Sequence, residues 1–94
     1  MVKGKTKSGI KYQINEGIRD DARLLYLLVQ LQSEDVSMEA KGKIVFDMLT
    51  LIFGNDGVMA FMNEVADKHD GICSTEAMLA EMNEILESVN AKNS

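Results

Sequence analysis

Asp20-Asp21-Ala22-Arg23-Leu24-Leu25-Tyr26-Leu27-Leu28-Val29-Gln30-Leu31 is the stretch on which the fold turns. Two aspartates open it, either of them able to cap a helix and both suited to its positive end. The run behind them is apolar nearly all the way round, which predicts a helix to about Gln32 and then the polar connection Ser33-Glu34-Asp35. A helix without a polar face belongs in a core or against a partner. From Leu24 to Val29 the run is far too short to span a bilayer. A chain of 94 residues has a high surface-to-volume ratio and cannot enclose every such side chain. Apolar surface left over usually meets another protein.

Upstream, Ile10, Tyr12 and Ile14 alternate with Lys11 and Gln13, the period of a strand. Lys7-Ser8-Gly9 is turn chemistry, with Gly9 able to take a positive φ. Residues 2–6 supply the partner strand. A lone hairpin is marginal in water, so this one must pack on helices.

Downstream, Ser37 is an N-cap with Glu39 in the first turn. Ile44, Val45, Met48, Leu49 and Ile52 then form one continuous face, with Phe46 and Phe53 outside it. Gly42 weakens this helix by roughly 1 kcal/mol relative to Ala and leaves room for a close neighbour. Gly54 is placed to end the helix in the left-handed region, and Asn55 or Asp56 to cap a third helix bearing Val58, Phe61, Met62, Val65 and Ala66. Asp70-Gly71 ends that one. Ser74 or Thr75 caps a fourth, whose stripe is Met78, Leu79, Met82, Ile85, Leu86 and Val89. The expectation is a single mainly α domain over 1–94: a β-hairpin over 1–15 packed on a bundle of about four helices over 20–90. The chain has no Pro to interrupt them.

The net charge of −5 is unevenly spread. The first twelve residues hold Lys3, Lys5, Lys7 and Lys11 and no acid, so the remaining 82 carry all 15 acids against six basic residues, a net −9. So acidic a body repels phosphate backbones, which argues against nucleic acid as the partner. The lysines read as solvated residues that keep a strand edge from pairing with other chains. Cys73 is the only cysteine, so no intrachain disulfide forms, and a reducing cytoplasmic setting is expected. The Lys-rich start has no apolar stretch behind it and does not read as a signal peptide.

Chemistry finds few candidates. A calcium loop begun at Asp67 puts Ile72 where Gly belongs and Met78 where the bidentate Glu belongs. His69 is the only histidine, and at a helix C-terminus it is a favourable dipole partner. Cys73 lacks a positioned base and reads as a small buried residue. Gly4, Gly9 and Gly17 fit no phosphate-binding spacing. Glu81, Glu84 and Asp47 read as a solvated face. The chain is therefore expected to be no enzyme, with no cofactor, metal or small-molecule substrate.

The methionines divide. Met48, Met62, Met78 and Met82 fall in core stripes, while Met38 and Met59 sit at helix starts and suit exposed contacts. With the Leu-rich helix and Phe46 they give a candidate partner-binding set of Leu24, Leu27, Leu28, Leu31, Met38, Phe46 and Met59.

The order of these features resembles the small tail assembly chaperones of long-tailed bacteriophages and prophages. The resemblance is carried by Ser8-Gly9-Ile10-Lys11-Tyr12-Gln13-Ile14, by Asp20-Asp21 opening the Leu-rich helix, and by Leu51-Ile52-Phe53-Gly54-Asn55-Asp56. Asp70-Gly71-Ile72-Cys73-Ser74-Thr75-Glu76 then leads into the last helix, through Met82-Asn83-Glu84-Ile85-Leu86. It covers roughly residues 5–88 as pattern and departs at Gly57-Val58-Met59, where polar helix starters are usual in the family. What it implies is a non-catalytic protein of the bacterial host cytoplasm that binds the helical tape measure protein and keeps it soluble during tail assembly. Self-association is expected, and neither membrane nor nucleic acid is a partner. Rival expectations are a structural tail or neck subunit closing a homo-oligomeric ring, and a small cytoplasmic adaptor or regulator.

Overall fold

The computed structural model describes residues 1–93, with side-chain surroundings described through Val89. Strand β1 (Val2–Lys5) pairs antiparallel with β2 (Lys11–Ile14), Val2 opposite Ile14 and Lys5 opposite Lys11. Alternation divides the hairpin: Val2, Tyr12 and Ile14 are buried, while Lys3, Lys5, Lys11 and Gln13 are exposed. Its turn closes through the Thr6 N–H donating to the Ile10 carbonyl and the Gly9 N–H donating to the Thr6 carbonyl, both at 2.9 Å, with Gly9 at φ 98°. The buried Thr6 hydroxyl accepts from the Ile10 N–H at 3.2 Å, so the turn satisfies its own polar groups.

The hairpin packs on the last helix, α3 (Thr75–Asn93), through two polar ties. The Tyr12 hydroxyl donates to Ser88 Oγ at 2.6 Å, and the Lys7 N–H donates to the Glu84 carboxylate at 2.7 Å. The Tyr12 ring lies across Gly4, where a Cβ would overlap the phenol. A 3-10 turn over Glu16–Asp20, held by Asn15 Oδ1 accepting from the Gly17 N–H at 2.8 Å, then leads into α1 (Ala22–Leu31). No periodicity in residues 15–20 foretells that turn. Asp21 caps α1, accepting from the Arg23 N–H at 2.9 Å, and the Arg23 guanidinium closes on the same carboxylate at 2.7 Å.

Helix α2 (Met38–Lys68) begins at the Ser37 cap, whose Oγ accepts from the Ala40 N–H at 3.1 Å. About four helices are expected from the sequence, but the described residues form three. Residues 37–53 and 55–68, read as separate helices, are one element. Gly54 does take the left-handed region, at φ 82°, ψ 168°, but no connection follows it, so the break bends α2 without ending it. Asn55 and Asp56 lie inside the helix and do not cap a new one. The rings of Phe53 and Phe61 stack across the bend with centroids 4.7 Å apart, a contact worth about 0.5–1.5 kcal/mol beyond its area. The reversal into α3 uses Asp70 at φ 61° and Gly71 at φ 85°, and Ser74 Oγ caps α3 by accepting from the Ala77 N–H at 3.0 Å. Gly42 allows the close approach expected of it: a Cβ there would stand 3.2 Å from Thr75 Oγ1.

Ile10 and Ile14 from the hairpin side, Val45, Met48, Leu49 and Val65 from α2, and Met82, Ile85 and Val89 from α3 are the centre of the core. Among the described residues α2 is the one helix long and apolar enough by composition to cross a membrane. Its apolar face is committed to that core, and Gly54 divides it into arms that each fall short of the roughly 20 residues a span takes.

Two outcomes are expected. Gly54→Ala should cost about 1–2 kcal/mol in urea unfolding, from backbone strain alone, because no atom lies within 4 Å of the added Cβ; an unchanged midpoint would mean α2 can straighten without loss. The Asp21 carboxyl is held down to about 2, chiefly by the Arg23 side-chain hydrogen bond and then by the Arg23 backbone N–H. A depressed folded-state value means that this cap contributes fully above about pH 4 and is lost as pH falls through 2. A carboxyl NMR titration should find Asp21 near 2, and Arg23→Ala should return it towards the usual carboxylate range.

Candidate partner-binding surface

A ten-residue helix lying on a core can bury one side only. In α1 that side is Leu24, with Leu27, Leu28 and Leu31 half-buried against the core. The opposite side keeps its apolar character. Leu25 is 48% exposed, Tyr26 65% and Val29 69%. Alongside them runs an open apolar trough between α1 and α2, formed by two hollows of about 560 and 450 Å³ that meet at Asp47. Leu27 and Leu51 line the first, and Val36, Ala40 and Ile44 line the second.

The polar groups of the trough already have partners. Lys43 Nζ holds Asp47 Oδ2 at 3.0 Å, and Arg23 holds Asp21. The Gln30 amide donates to the Tyr26 hydroxyl at 3.2 Å, and the Thr50 hydroxyl donates to the Phe46 carbonyl at 2.8 Å. An apolar ligand laid here would bury few groups that then lack a hydrogen bond, so the cost of desolvation is small.

The seven residues expected to bind a partner do not form one surface. Leu24 is 4% exposed and belongs to the core, so it is withdrawn: one helix wheel fixes relative faces only, and the buried face proves to be centred on Leu24 with Leu25 turned out. Leu27 lines the trough. Leu28 lines a separate hollow of about 360 Å³ with Leu25 and Leu86. Leu31 packs against the core. Met38, Phe46 and Met59 are exposed on α2 but line none of these hollows. Tyr26 and Val29, which sequence reasoning passed over, are the most exposed apolar positions of α1. Their signal was present in a helix apolar on every side.

Of the candidates for chemistry, the described structure brings His69 and Glu81 together. Glu81, read as part of a solvated face, is instead 4% exposed, with His69 at the end of α2 beside it. Its Oε2 lies 3.5 Å from His69 Nε2, and its Oε1 has no hydrogen-bond partner. No third ligand joins them: the described residues hold no group of three His, Cys, Asp or Glu side chains able to bind a metal. Burial pushes the Cys73 thiol up, the opposite of what an activated nucleophile needs. Comparison with family models, with curated proteins and with solved structures returns no match to this chain.

A buried carboxylate with one idle oxygen is a local cost. Glu81→Gln removes the charge and supplies an N–H donor towards His69 Nε2. It should stabilise the fold at neutral pH by about 1 kcal/mol, a rise of roughly 4–8 °C in thermal midpoint for a domain of this size. A fall in the midpoint would show the His69–Glu81 pair to be net favourable.

Proposed function

We propose that this chain is a non-catalytic protein-binding module, a tail assembly chaperone that holds helices of a tape measure protein along the α1–α2 trough. The single observation behind this reading is the apolar outer side of α1, Leu25, Tyr26 and Val29, lying beside an apolar trough that no described element covers. An amphipathic helix is the natural occupant of such a trough, presenting apolar anchors at i, i+3, i+4 and i+7. Acidic side chains over the rest of the body keep the module and its client dispersed. The work asks for no cofactor and belongs in the host cytoplasm, where the client is synthesised.

Tyr26→Asp with Val29→Asp changes two exposed positions and should leave the circular dichroism spectrum and thermal midpoint nearly unaltered. Co-expressed with the tape measure protein of the same genome, the double variant should lose most of the soluble client that the unaltered chain maintains. Full retention of soluble client by a folded variant would remove this surface from the account.

A further inference from the structure

We infer that the helix accepted by the α1–α2 trough has a cationic polar flank, with its lysines or arginines lying over the connection between α1 and α2. The inference rests on the trough being the binding surface, as proposed above, and adds the chemistry of the occupant and its orientation.

Charge placement around the trough selects the occupant. Lys3, Lys5 and Lys11 stand on the outward face of a hairpin that packs on α3, and neither strand lines the trough. The cations that do border it are neutralised locally, Arg23 by Asp21 and Lys43 by Asp47. At the other end the trough runs out over Ser33 and Val36, and the residues between those two are Glu34 and Asp35. Both are exposed, as is Glu39 beside the trough residue Ala40, and none of the three forms an ion pair among the described residues. Lys41, the nearest cation in sequence outside the Lys43–Asp47 pair, is half-buried. The carbonyl end of α1 points to the same quarter with no basic residue in its last turn, but the positive N-terminal end of α2 begins there too, so the two helix ends offset each other and the three carboxylates set the sign. The trough is therefore apolar along its length and anionic at one end. An anionic helix would meet repulsion at that end, a neutral one would gain the apolar contact alone, and a cationic one would gain both and be oriented by the second.

Three fluorescein-labelled synthetic helices of about 14 residues, roughly 20 Å long, provide the test. They share one leucine stripe and carry Lys, Gln or Glu on the flanking positions. By anisotropy at low salt the Lys peptide should bind at least about tenfold more tightly than the Glu peptide, with the Gln peptide between, and added salt should close the gap. Glu34→Lys with Asp35→Lys should remove or reverse the order while leaving the Gln peptide's affinity unchanged. Equal binding of all three peptides, or a Lys preference that survives the double reversal, would overturn the cationic occupant and leave the trough reading standing. Binding that ignores Tyr26→Asp with Val29→Asp would overturn both. So would absence of any peptide binding together with a dimer in sedimentation that those two substitutions dissolve, since the occupant would then be a second copy.

Discussion

Helix α1 has apolar residues on all its sides and a core on only one of them. That mismatch shapes the rest of the molecule. Burying a Leu or Val fully is worth about 1.5–3 kcal/mol, so the helix must commit one side to the core, and Leu24, Leu27, Leu28 and Leu31 do this. No described sheet or helix covers Leu25, Tyr26 and Val29: the hairpin packs on α3, and the 3-10 turn, which touches both α1 and α3, leaves these three exposed. Covering both sides of α1 would need another layer of structure, and a domain this small has a surface too large for its volume to supply one.

How much of this was legible beforehand depended on whether the signal was local. The hairpin was readable because alternation through Ile10, Tyr12 and Ile14 and a glycine at the turn are both local facts. The caps at Asp21, Ser37 and Ser74 were readable for the same reason. Gly54 shows where local reading ends. Its positive φ was foreseeable, but a left-handed glycine is compatible with a helix end and with a bend, and the choice is made by what lies across it. Here Phe53 and Phe61 stack over the break and the next residues resume the helix at once, so four expected helices become three.

The site was harder to read than the fold. Periodicity assigns residues to the same or opposite sides of a helix without saying which side faces inward. In an amphipathic helix the polar residues settle that question, and α3 was read correctly on that basis at Met78, Met82, Ile85 and Val89. In α1 there are almost no polar residues to do so, so Leu24 was placed outside and Tyr26 and Val29 were overlooked. Glu81 is the converse error. A glutamate outside the main stripe is normally solvated, and it is tertiary packing, which no local pattern encodes, that leaves Glu81 4% exposed beside His69.

The geometry of the trough also constrains how a client would be held. Helix α1 is ten residues, on the order of 15 Å, and so offers about three turns of contact. Three apolar anchors of about 1.5–3 kcal/mol each are comparable to the 4–15 kcal/mol of translational and rotational freedom lost on association. On the proposed reading, one module would therefore bind one helical segment weakly and exchange quickly. For the proposed task of yielding a client to polymerising subunits, weak contact would be an advantage, because no separate step would be needed to release it. The cost is occupancy, which a long client restores by offering many segments to many copies at once. The acidic surface suits that proposed arrangement: neighbouring modules on one client would repel each other through their exposed carboxylates and spread along it, while each would remain able to meet a cationic flank.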